Sequence, residues 1–365
     1  MKILFYIGSL GKGGAERVIS NLANYLVNDN EVIIMTDLKR NSKYKLNENV
    51  TIFSLDKDDN VLKFKIFKIF NNIKRLKNMN KTLNKIKPDA IISFLPNPSY
   101  RILLLKRIIK VPVIISVRND PNAEYNNFIK KFLVKVLYSR ANGFVFQTEE
   151  ARNWFSKKIQ DKSAIIPNPI NPDFICEPYK GEREKTIINI GRLAQQKNQK
   201  LLIDAFYEIQ KKYPDYILKI YGEGKLREKL EEQINELKLE NKVFLMGIKD
   251  NIKEEIYKAG MFVLSSDFEG MPNTLMEAMA LGLPCISTDC PCGGPKFLIK
   301  DKENGLLTEV GNKEELIDAI KYIINNQNEA KKMGNNANKI CKILNPNLIN
   351  DKWKKYIEDI IKENN

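Results

Sequence analysis

The sequence predicts an α/β protein made of two doubly wound domains, each with a mostly parallel sheet. Short apolar segments alternate with amphipathic helical segments along all 365 residues, which is the pattern of parallel strands joined by crossover helices. A Pro/Asn-rich stretch, Pro167 to Pro172, separates two such series. Sheets of this kind bind ligands beyond the carboxyl ends of their strands, so the ligand site is expected in a cleft between the domains.

Each predicted strand is a short apolar segment bounded by turn residues or charges. In the first domain, strands are predicted over residues 2–8, 31–36, 51–54, 89–94, 112–117, 143–147 and 163–166. In the second domain, they are predicted over residues 186–190, 216–221, 242–246, 261–265, 284–288 and 305–308. The domains accordingly span residues 1–170 and 171–345, and residues 346–365 form a terminal helix expected to pack back across the linker.

Composition excludes several classes of protein. The chain contains no histidine, which rules out an imidazole base, a Ser-His-Asp triad and a histidine-bound metal. With 43% hydrophobic and 29% charged residues, it is neither disordered nor a disulfide scaffold. Its five cysteines form no CxxC pair, so reduced thiols in a cytoplasmic protein are expected. No apolar run is long enough for a membrane span, and the apolar residues after Lys2 are interpreted as a strand rather than a signal peptide.

Positive charge is concentrated in the first half of the chain. Residues 1–170 carry 30 basic and 14 acidic groups, whereas residues 171–365 carry 30 and 31. Residues 61–88 contain nine basic residues, no acidic residue and apolar residues at helical spacing, which predicts a basic amphipathic helix. Such a helix suits either an ordinary protein surface or, through residues 63–77, an anionic membrane surface.

A glycine-rich loop follows the first predicted strand. Gly13 and Gly14 lead into a helix that begins near Ala15, and backbone amides at such a helix start can hold a phosphate. A dinucleotide-binding domain would use the same arrangement, with Asp37 as its ribose-binding acid, but Glu16 occupies its third glycine position. A third interpretation is that the glycine-rich loop is only a structural turn between the strand and the helix.

Two glutamates in the second domain are placed to face one pocket. Glu269 lies in a loop, and Glu277 lies in an otherwise apolar segment of the helix that begins near Asn273. Glutamates usually lie on solvated faces, but the apolar setting makes that a poor account of Glu277. The amides of Gly270 and Met271, just before this helix, are suited to an anion.

Two cations follow the first strand of the second domain. Arg192 and Lys197 come after a strand that ends near Ile190, so both can reach the carboxyl edge of the sheet. A guanidinium and an ammonium at that edge suit a diphosphate. Together with the two glutamates, they predict a site for an anionic ligand.

Four segments carry a family resemblance in the order in which they occur. They are Gly13 to Arg17, Gly191 to Asn198, Tyr221 to Gly224, and Phe268 to Pro284. Together they resemble the retaining family 4 glycosyltransferases of GT-B fold, over nearly the whole chain. The segment Cys290 to Lys296 is similar to bacterial enzymes that transfer hexose or N-acetylhexosamine onto lipid-linked or surface polysaccharides. The resemblance implies two Rossmann-like domains, the first binding the acceptor and the second the nucleotide-sugar.

The resemblance implies a role for each matching residue. Arg192, Lys197 and Glu269 are the expected catalytic residues: the cations bind the donor diphosphate and stabilise it as it leaves, and the glutamate holds the transferred sugar. Glu277 would accept hydrogen bonds from the ribose. The other expected substrate-binding residues are Gly13, Gly14, Glu16, Arg118, Asn119, Gly247, Gly270, Met271, Pro272 and Asn273. Such enzymes generally need no metal, so no cofactor is expected beyond the nucleotide-sugar co-substrate.

One position departs from the family. Many relatives carry a histidine in the N-terminal domain near the reaction centre, where this chain has Arg118 and Asn119. In a front-face retaining reaction, the leaving phosphate can take the acceptor proton, so the resemblance still implies retention without a protein base. The triplet Asp56 to Asp58 is like that of metal-dependent transferases of another fold, but it lies outside every matching segment and is interpreted as a solvated loop.

These features predict a retaining hexosyltransferase. It would move a hexose or N-acetylhexosamine from a nucleotide donor, expected to be UDP-linked, to a lipid-linked or surface-polysaccharide acceptor, as in capsule or lipopolysaccharide synthesis. It is expected in the cytoplasm, bound peripherally to the inner face of the cytoplasmic membrane. A sugar-nucleotide epimerase or hydrolase of the same fold is the enzymatic alternative. Nucleic-acid binding is the non-enzymatic one, but the sequence offers no reading helix or aromatic stacking platform.

Overall fold

The computed structural model describes residues 1–11, 13–38, 44–56 and 65–364, with all side chains in these ranges except those of residue 56 and residues 65–72. The chain forms two compact units. The first comprises Met1–Pro169 with Asn347–Asn365, and the second comprises Ile170–Pro346. Within the described ranges, no helix is long and apolar enough to cross a bilayer.

The first unit contains a seven-stranded parallel sheet. Its central strands are buried along both faces, as is usual for a parallel sheet between two layers of helices. The strands are β1 (Lys2–Ile7), β2 (Glu31–Leu38), β3 (Thr51–Asp56), β4 (Ala90–Phe94), β5 (Val113–Ser116), β6 (Gly143–Phe146) and β7 (Ser163–Ile165). Across the sheet their order is β3-β2-β1-β4-β5-β6-β7.

Helices connect these strands as crossovers. They are α1 (Gly14–Leu26), α2 (Lys65–Ile86), α3 (Pro96–Leu105), α4 (Pro121–Glu124), α5 (Phe128–Leu137), α6 (Glu149–Asn153) and α7 (Lys157–Gln160). A short 3-10 turn at Tyr138–Arg140 follows α5.

The second unit contains a six-stranded parallel sheet. The strands are β8 (Thr186–Ile190), β9 (Ile217–Tyr221), β10 (Val243–Gly247), β11 (Met261–Leu264), β12 (Cys285–Thr288) and β13 (Leu306–Thr308). Across the sheet their order is β10-β9-β8-β11-β12-β13. The helices are α8 (Gln199–Lys212), α9 (Arg227–Glu236), α10 (Ile252–Ile256), α11 (Asn273–Ala280), α12 (Gly294–Leu298), α13 (Lys313–Asn325), α14 (Gln327–Asn338) and α15 (Ile340–Ile343), with 3-10 turns at Pro172–Phe174 and Gln195–Lys197.

The last helix, α16 (Pro346–Asn364), belongs almost entirely to the first unit. Its Trp353 stacks on Phe94 with 6.1 Å between the ring centroids. Tyr356 Oη accepts a hydrogen bond from the backbone amide of Phe144 at 2.9 Å. Since Phe94 ends β4 and Phe144 lies in β6, the helix fastens two strands of the first sheet.

Both sheets reverse their winding at their first strand. β1 lies between β2 and β4, and β8 lies between β9 and β11. The connections on either side of such a strand run to opposite faces, so a crevice opens at the carboxyl ends of the two strands, and ligands bind there. In the second unit, this crevice lies between the segments that follow β8 and β11.

The predicted fold class is confirmed. Both sheets are parallel, and all thirteen predicted strands are present, with ends that differ by at most two residues from the predicted ranges. The differences arise because an apolar run marks burial, whereas a strand ends where its ladder of hydrogen bonds ends.

The predicted basic helix is observed as α2. Of the segment 63–77 predicted to contact a membrane, residues 63–64 and the side chains of residues 65–72 lie outside the described residues. Ile73, which the periodicity places on the apolar face, is 47% exposed, whereas Met79 and Leu83 are buried. The buried side chains of α2 thus lie toward its C-terminal end, whereas Ile73 on the predicted apolar face is exposed.

Candidate active site

The second unit brings Lys197 and Glu269 together at the carboxyl edge of its sheet. Lys197 ends the 3-10 turn after β8, and Glu269 lies in the loop between β11 and α11. The Lys197 ammonium and the Glu269 carboxylate form an ion pair in which the lysine side chain is 16% and the glutamate side chain 8% exposed. Two largely buried charges are stable when each also has further hydrogen-bond partners.

Neighbouring polar groups hold the Glu269 carboxylate. Ser266 Oγ donates a hydrogen bond to Oε1 at 2.7 Å, and Gln196 Nε2 lies 3.5 Å from Oε2. The Ser266 carbonyl accepts a hydrogen bond from Thr288 Oγ1 at 2.6 Å and another from Cys290 Sγ at 3.0 Å. Burial raises the pKa of the Cys290 thiol to about 12, so the thiol keeps the proton that it donates. Segments after β8 and β11 thus contact the carboxylate, and the end of β12 holds the backbone of Ser266 in place.

Asn198 shapes the loop that carries Lys197. Its backbone is left-handed, with φ 43°, a conformation that Asn adopts more readily than most residues. Its side-chain oxygen caps α8 by accepting a hydrogen bond from the Leu201 amide at 3.3 Å, and its side-chain nitrogen donates to Asp267 Oδ1 at 2.7 Å. One residue therefore ends the lysine turn, starts the next helix and ties both to the loop of Glu269.

Glycines let backbone segments approach one another at this edge. A Cβ on Gly222, whose φ is +141°, would lie 1.9 Å from the Gly191 carbonyl oxygen. A Cβ on Gly294, at the start of α12, would lie 1.7 Å from the Gly270 carbonyl oxygen. Both separations are far shorter than van der Waals contact, so these positions have no room for a side chain.

Replacing Gly294 by Ala is therefore expected to lower the free energy of unfolding by about 2 kcal/mol, because the backbone around Gly270 must move apart to admit the methyl group. Urea denaturation measures the loss. Gly8→Ala is the control: like Gly294, Gly8 does not have a positive φ, but a Cβ there would meet no atom closer than 3.8 Å. Equal losses in the two variants would mean that the contact with Gly270 is unimportant.

Arg192 and Glu277 lie close in sequence to Lys197 and Glu269, but their side chains differ in solvent exposure. Arg192 follows β8 and is exposed, so its guanidinium is accessible to a ligand. Glu277 lies within α11 and is only 5% exposed. The structure thus joins Lys197 to Glu269 directly and leaves Arg192 facing solvent.

The segment predicted to bind an anion precedes the N-terminus of α11. Pro272 is the N-cap residue of α11, and Asn273 is the first helical residue, so the amides of Gly270 and Met271 precede a helix N-terminus. Gly247 ends β10 with φ +70°, and its carbonyl accepts a hydrogen bond from the Gly222 amide at 2.8 Å.

In the first unit, the glycine-rich loop precedes α1. Gly13 is the N-cap residue, Gly14 is the first helical residue, and Lys12 lies outside the described residues. A Cβ on Gly13 would lie 2.1 Å from Glu16 Oε2, so the Glu16 carboxylate lies over the start of the helix. A negative charge is favourable at a helix N-terminus. Glu16 therefore stabilises the helix start, whether or not it also binds substrate.

Asp37 is engaged within the first unit. Tyr6 Oη donates a hydrogen bond to Oδ1 at 2.6 Å, and Arg101 forms an ion pair with Oδ2. Burial, followed by the charge of Asp37, raises the pKa of the Tyr6 hydroxyl, so the hydroxyl stays protonated. Both carboxylate oxygens already have partners, which leaves Asp37 poorly suited to be the ribose-binding acid of a dinucleotide site.

Arg118 is a largely enclosed cation that lacks a carboxylate partner among the described residues. Its guanidinium carbon lies 4.9 Å from the ring centroid of Phe94 and 5.3 Å from that of Trp353. Nη1 donates to Asn168 Oδ1 at 2.9 Å, but no described residue accepts a hydrogen bond from Nε or Nη2, which are both buried. Burial lowers the pKa of Arg118 to about 9, so the group is charged at neutral pH. Asn119 follows it in the same loop.

Glu124 is a half-buried carboxyl group that the sequence analysis did not single out. It ends α4, and burial raises the pKa of its carboxyl to about 7; Asp120 adds to the increase and Lys130 opposes it. The only signal in the sequence is that Asp120 and Glu124 are the only two acidic residues within residues 90–148.

The raised pKa predicts a pH-dependent loss of stability. Between pH 4.5 and pH 7 the folded chain keeps the Glu124 proton that the unfolded chain has released, so this group lowers the free energy of unfolding as the pH rises through that range. Glu124→Gln is expected to match the wild type near pH 4 and to exceed it by on the order of 1 kcal/mol near pH 8. Urea denaturation at both pH values measures this, with Glu150→Gln at an exposed position as control. A pH-independent difference would contradict the assignment.

Comparisons with known proteins agree with this architecture. The profile described as Glycosyltransferase Family 4 matches residues 12–174, and that described as Glycosyl transferases group 1 matches residues 175–340. A Campylobacter jejuni protein named GalNAc-alpha-(1->4)-GalNAc-alpha-(1->3)-diNAcBac-PP-undecaprenol alpha-1,4-N-acetyl-D-galactosaminyltransferase is 30% identical over 364 residues, which cover 99% of this chain and 99% of the relative.

A second Campylobacter jejuni relative is named N-acetylgalactosamine-N,N'-diacetylbacillosaminyl-diphospho-undecaprenol 4-alpha-N-acetylgalactosaminyltransferase. It is 32% identical over 355 residues, covering 92% of this chain and 93% of the relative. Among solved structures, Anabaena Alr3699/HepE in complex with UDP superposes with a TM-score of 0.83 at 18% identity, over 98% of this chain and 100% of that chain. The family resemblance of the sequence is confirmed: this chain is a glycosyltransferase of GT-B fold and belongs to glycosyltransferase family 4.

Proposed function

We propose that this glycosyltransferase moves a hexose or N-acetylhexosamine from a UDP-linked donor to a lipid-linked glycan, with retention at the anomeric carbon. The observation that carries the proposal is the Lys197–Glu269 ion pair at the carboxyl edge of the second sheet, with exposed Arg192 at the end of the same strand β8. Cations held at that edge suit a diphosphate, and an adjacent buried carboxylate suits sugar hydroxyls.

The two cations stabilise charge that develops on the leaving diphosphate. As the bond from the anomeric carbon to the phosphate oxygen breaks, its electron pair passes to that oxygen, and the new negative charge is met by Lys197 and Arg192. Glu269 orients Lys197 and accepts hydrogen bonds from the sugar, and Glu277 accepts them from the ribose. The amides of residues 270–273 contact the transferred sugar, and the backbone at Gly247 contacts the base.

Retention follows if the acceptor attacks on the face from which the diphosphate departs. The acceptor oxygen then forms its bond to the anomeric carbon while its proton passes to the departing phosphate oxygen. No protein base is needed in this step, which suits a chain without histidine. Fixed cations also supply the charge that Mg²⁺ supplies elsewhere, so we propose that turnover persists in a chelator.

We propose that the first unit binds the acceptor. Gly13, Gly14 and Glu16 lie at the start of α1, and Arg118 presents buried donors that no described residue uses. A diphosphate-linked lipid would supply anionic oxygens for such donors. The names of both Campylobacter jejuni relatives specify undecaprenol-linked acceptors, which supports this choice.

A lipid-linked acceptor would be presented to the enzyme at a membrane surface. We propose that the enzyme is cytoplasmic and binds peripherally to the inner face of the cytoplasmic membrane, attracted by the excess positive charge of residues 1–170. At around 1 kcal/mol for each suitably placed Lys or Arg, a few such residues concentrate a protein at an anionic bilayer.

The proposal is tested with a panel of UDP-sugars. Each is incubated with the enzyme, an undecaprenyl diphosphate-linked saccharide and a metal chelator, and the products are identified by mass spectrometry. We expect one UDP-sugar to yield an elongated lipid product whose new linkage has the anomeric configuration of the donor. Free or epimerised sugar formed without acceptor would support the epimerase or hydrolase alternative instead. Unchanged turnover in Glu269→Ala would show that the proposed site is wrong.

A further inference from the structure

Helix α5 exposes a row of large apolar side chains, which we call the α5 apolar stripe. It consists of Phe128, Ile129, Phe132 and Val136, which are 83%, 70%, 55% and 38% exposed. At 3.6 residues per turn, these four positions lie within about 100° of one another around the helix axis. Isolated exposed apolar residues are ordinary, but four on one helical face form a patch that needs an explanation.

The α5 apolar stripe is not the face through which the helix packs. Val134 and Leu137 are buried, and they lie on the opposite side of the helix. The helix start is well formed, because the Asn127 side chain accepts a hydrogen bond from the Lys130 amide at 2.9 Å. The helix therefore has two apolar faces, one packed against its own unit and one open to solvent.

The surroundings of the stripe are basic. Lys131 and Lys135 are exposed beside it, and residues 125–148 contain four basic residues and no acidic one. Helix α3 packs against α5, and near its end Leu104 and Ile108 are 48% and 65% exposed. Residues 90–119 contain five more basic residues and again no acidic one. Exposed apolar side chains among basic residues thus occur both on α5 and at the C-terminal end of the neighbouring helix α3.

This combination fits a lipid surface better than a protein partner. Lysine is depleted at protein interfaces, and a second copy of this face would bring like charges together. At an anionic bilayer, aromatic and aliphatic side chains enter the boundary between headgroups and acyl chains, while lysine stems extend their ammonium groups to the phosphates. We propose that α5 is the bilayer-docking helix of this enzyme, with its apolar stripe inserted into an anionic membrane surface. The inference rests on the membrane association proposed above, but not on the transfer chemistry.

Flotation of the full chain with vesicles of equimolar phosphatidylcholine and phosphatidylglycerol tests the proposal. Phe128→Ser combined with Phe132→Ser is expected to lower the vesicle partition coefficient at least about tenfold, because two aromatic side chains no longer leave water. Lys131→Gln combined with Lys135→Gln is expected to weaken binding at low salt and to reduce its salt dependence.

Two controls make the result specific. Ile343→Ser combined with Leu348→Ser removes apolar side chains that are 61% and 45% exposed elsewhere, and binding should not change. Lys74→Gln combined with Lys77→Gln removes exposed charges from α2, the helix that the sequence favoured. Loss of binding in the α2 variant together with full binding in the aromatic variant would overturn the proposal.

Further measurements separate the ways in which the proposal can fail. If the wild type does not float with anionic vesicles, both the membrane association and its assignment to α5 are wrong, whatever the turnover. If light scattering shows a dimer that the aromatic variant abolishes, the stripe is an interface between copies. Hydrolysis or transfer with a soluble acceptor in detergent should be the same in the aromatic variant and the wild type, so a failure of the transfer proposal is detected independently.

Discussion

Replacing Lys197 by Ala is expected to lower kcat about 100- to 1,000-fold, the range found when one fixed donor to a developing negative charge is removed. The ammonium is placed by the ion pair with Glu269 and by the turn that Asn198 ends, a fixed placement that a mobile surface lysine would not reproduce. Initial rates with saturating donor and acceptor measure the loss. Lys200→Ala is the matched control, since Lys200 lies at the start of α8 with its side chain 71% exposed and pairs only with Asp204 among the described residues.

Lys197→Ala is also expected to destabilise the fold, and this effect must be measured separately from the loss of kcat. Without Lys197, the Glu269 carboxylate remains buried without its cation, and the free energy of unfolding should fall by about 3 kcal/mol. Lys197→Met combined with Glu269→Gln removes both charges and should recover much of that stability while remaining inactive. If the double variant turned over at the wild-type rate, neither residue would be part of the catalytic machinery.

Much of the fold could be predicted because its signal is local. Parallel strands buried on both faces appear in the sequence as apolar runs, and all thirteen were found. The close backbone contact at Gly294 could not be predicted. Gly294 and Gly270 are distant in sequence, so their close backbone approach depends on tertiary packing that no local pattern encodes.

The sequence singled out both residues of the ion pair but did not predict their contact. Lys197 and Glu269 were chosen from separate segments, and only the strand order brings β8 and β11 together. Ser266 and Gln196 escaped notice because serine and glutamine are common next to charged residues, and their hydrogen bonds to the carboxylate depend on loop geometry.

The surface properties of the first unit were the least predictable. Periodicity reveals that a helix has an apolar face but not whether that face is covered. On α2, it grouped Ile73 with the apolar face but left open whether that face is covered, and the side chain is 47% exposed. On α5, both faces carry apolar residues, so periodicity alone cannot distinguish the packed face of Val134 from the open face of Phe128.

Arg118→Met is expected to lower kcat/KM about 10- to 100-fold without destabilising the fold. This loss of kcat/KM corresponds to the free energy of one or two hydrogen bonds between a charged donor and the substrate. Methionine fills the space beside Phe94 and Trp353 without a buried charge. Removal of an unpaired buried charge favours folding, so the free energy of unfolding should stay constant or rise by about 1 kcal/mol.

The pH dependence of that stability difference identifies its cause. The pKa of Arg118 is lowered by burial to about 9, so the wild type carries the penalty of a buried charge at every pH below that value and loses it as the pH rises further. Any gain in the free energy of unfolding in Arg118→Met should therefore be constant between about pH 6 and pH 8 and shrink above about pH 9.

Arg118→Lys is the control for charge without the planar guanidinium. It should recover little activity, because a single ammonium cannot reproduce the donors at Nε and Nη2. A strongly destabilised but catalytically normal Arg118→Met would show that the cation serves packing alone, and the donors left unpaired in the first unit would then have no role in binding the acceptor.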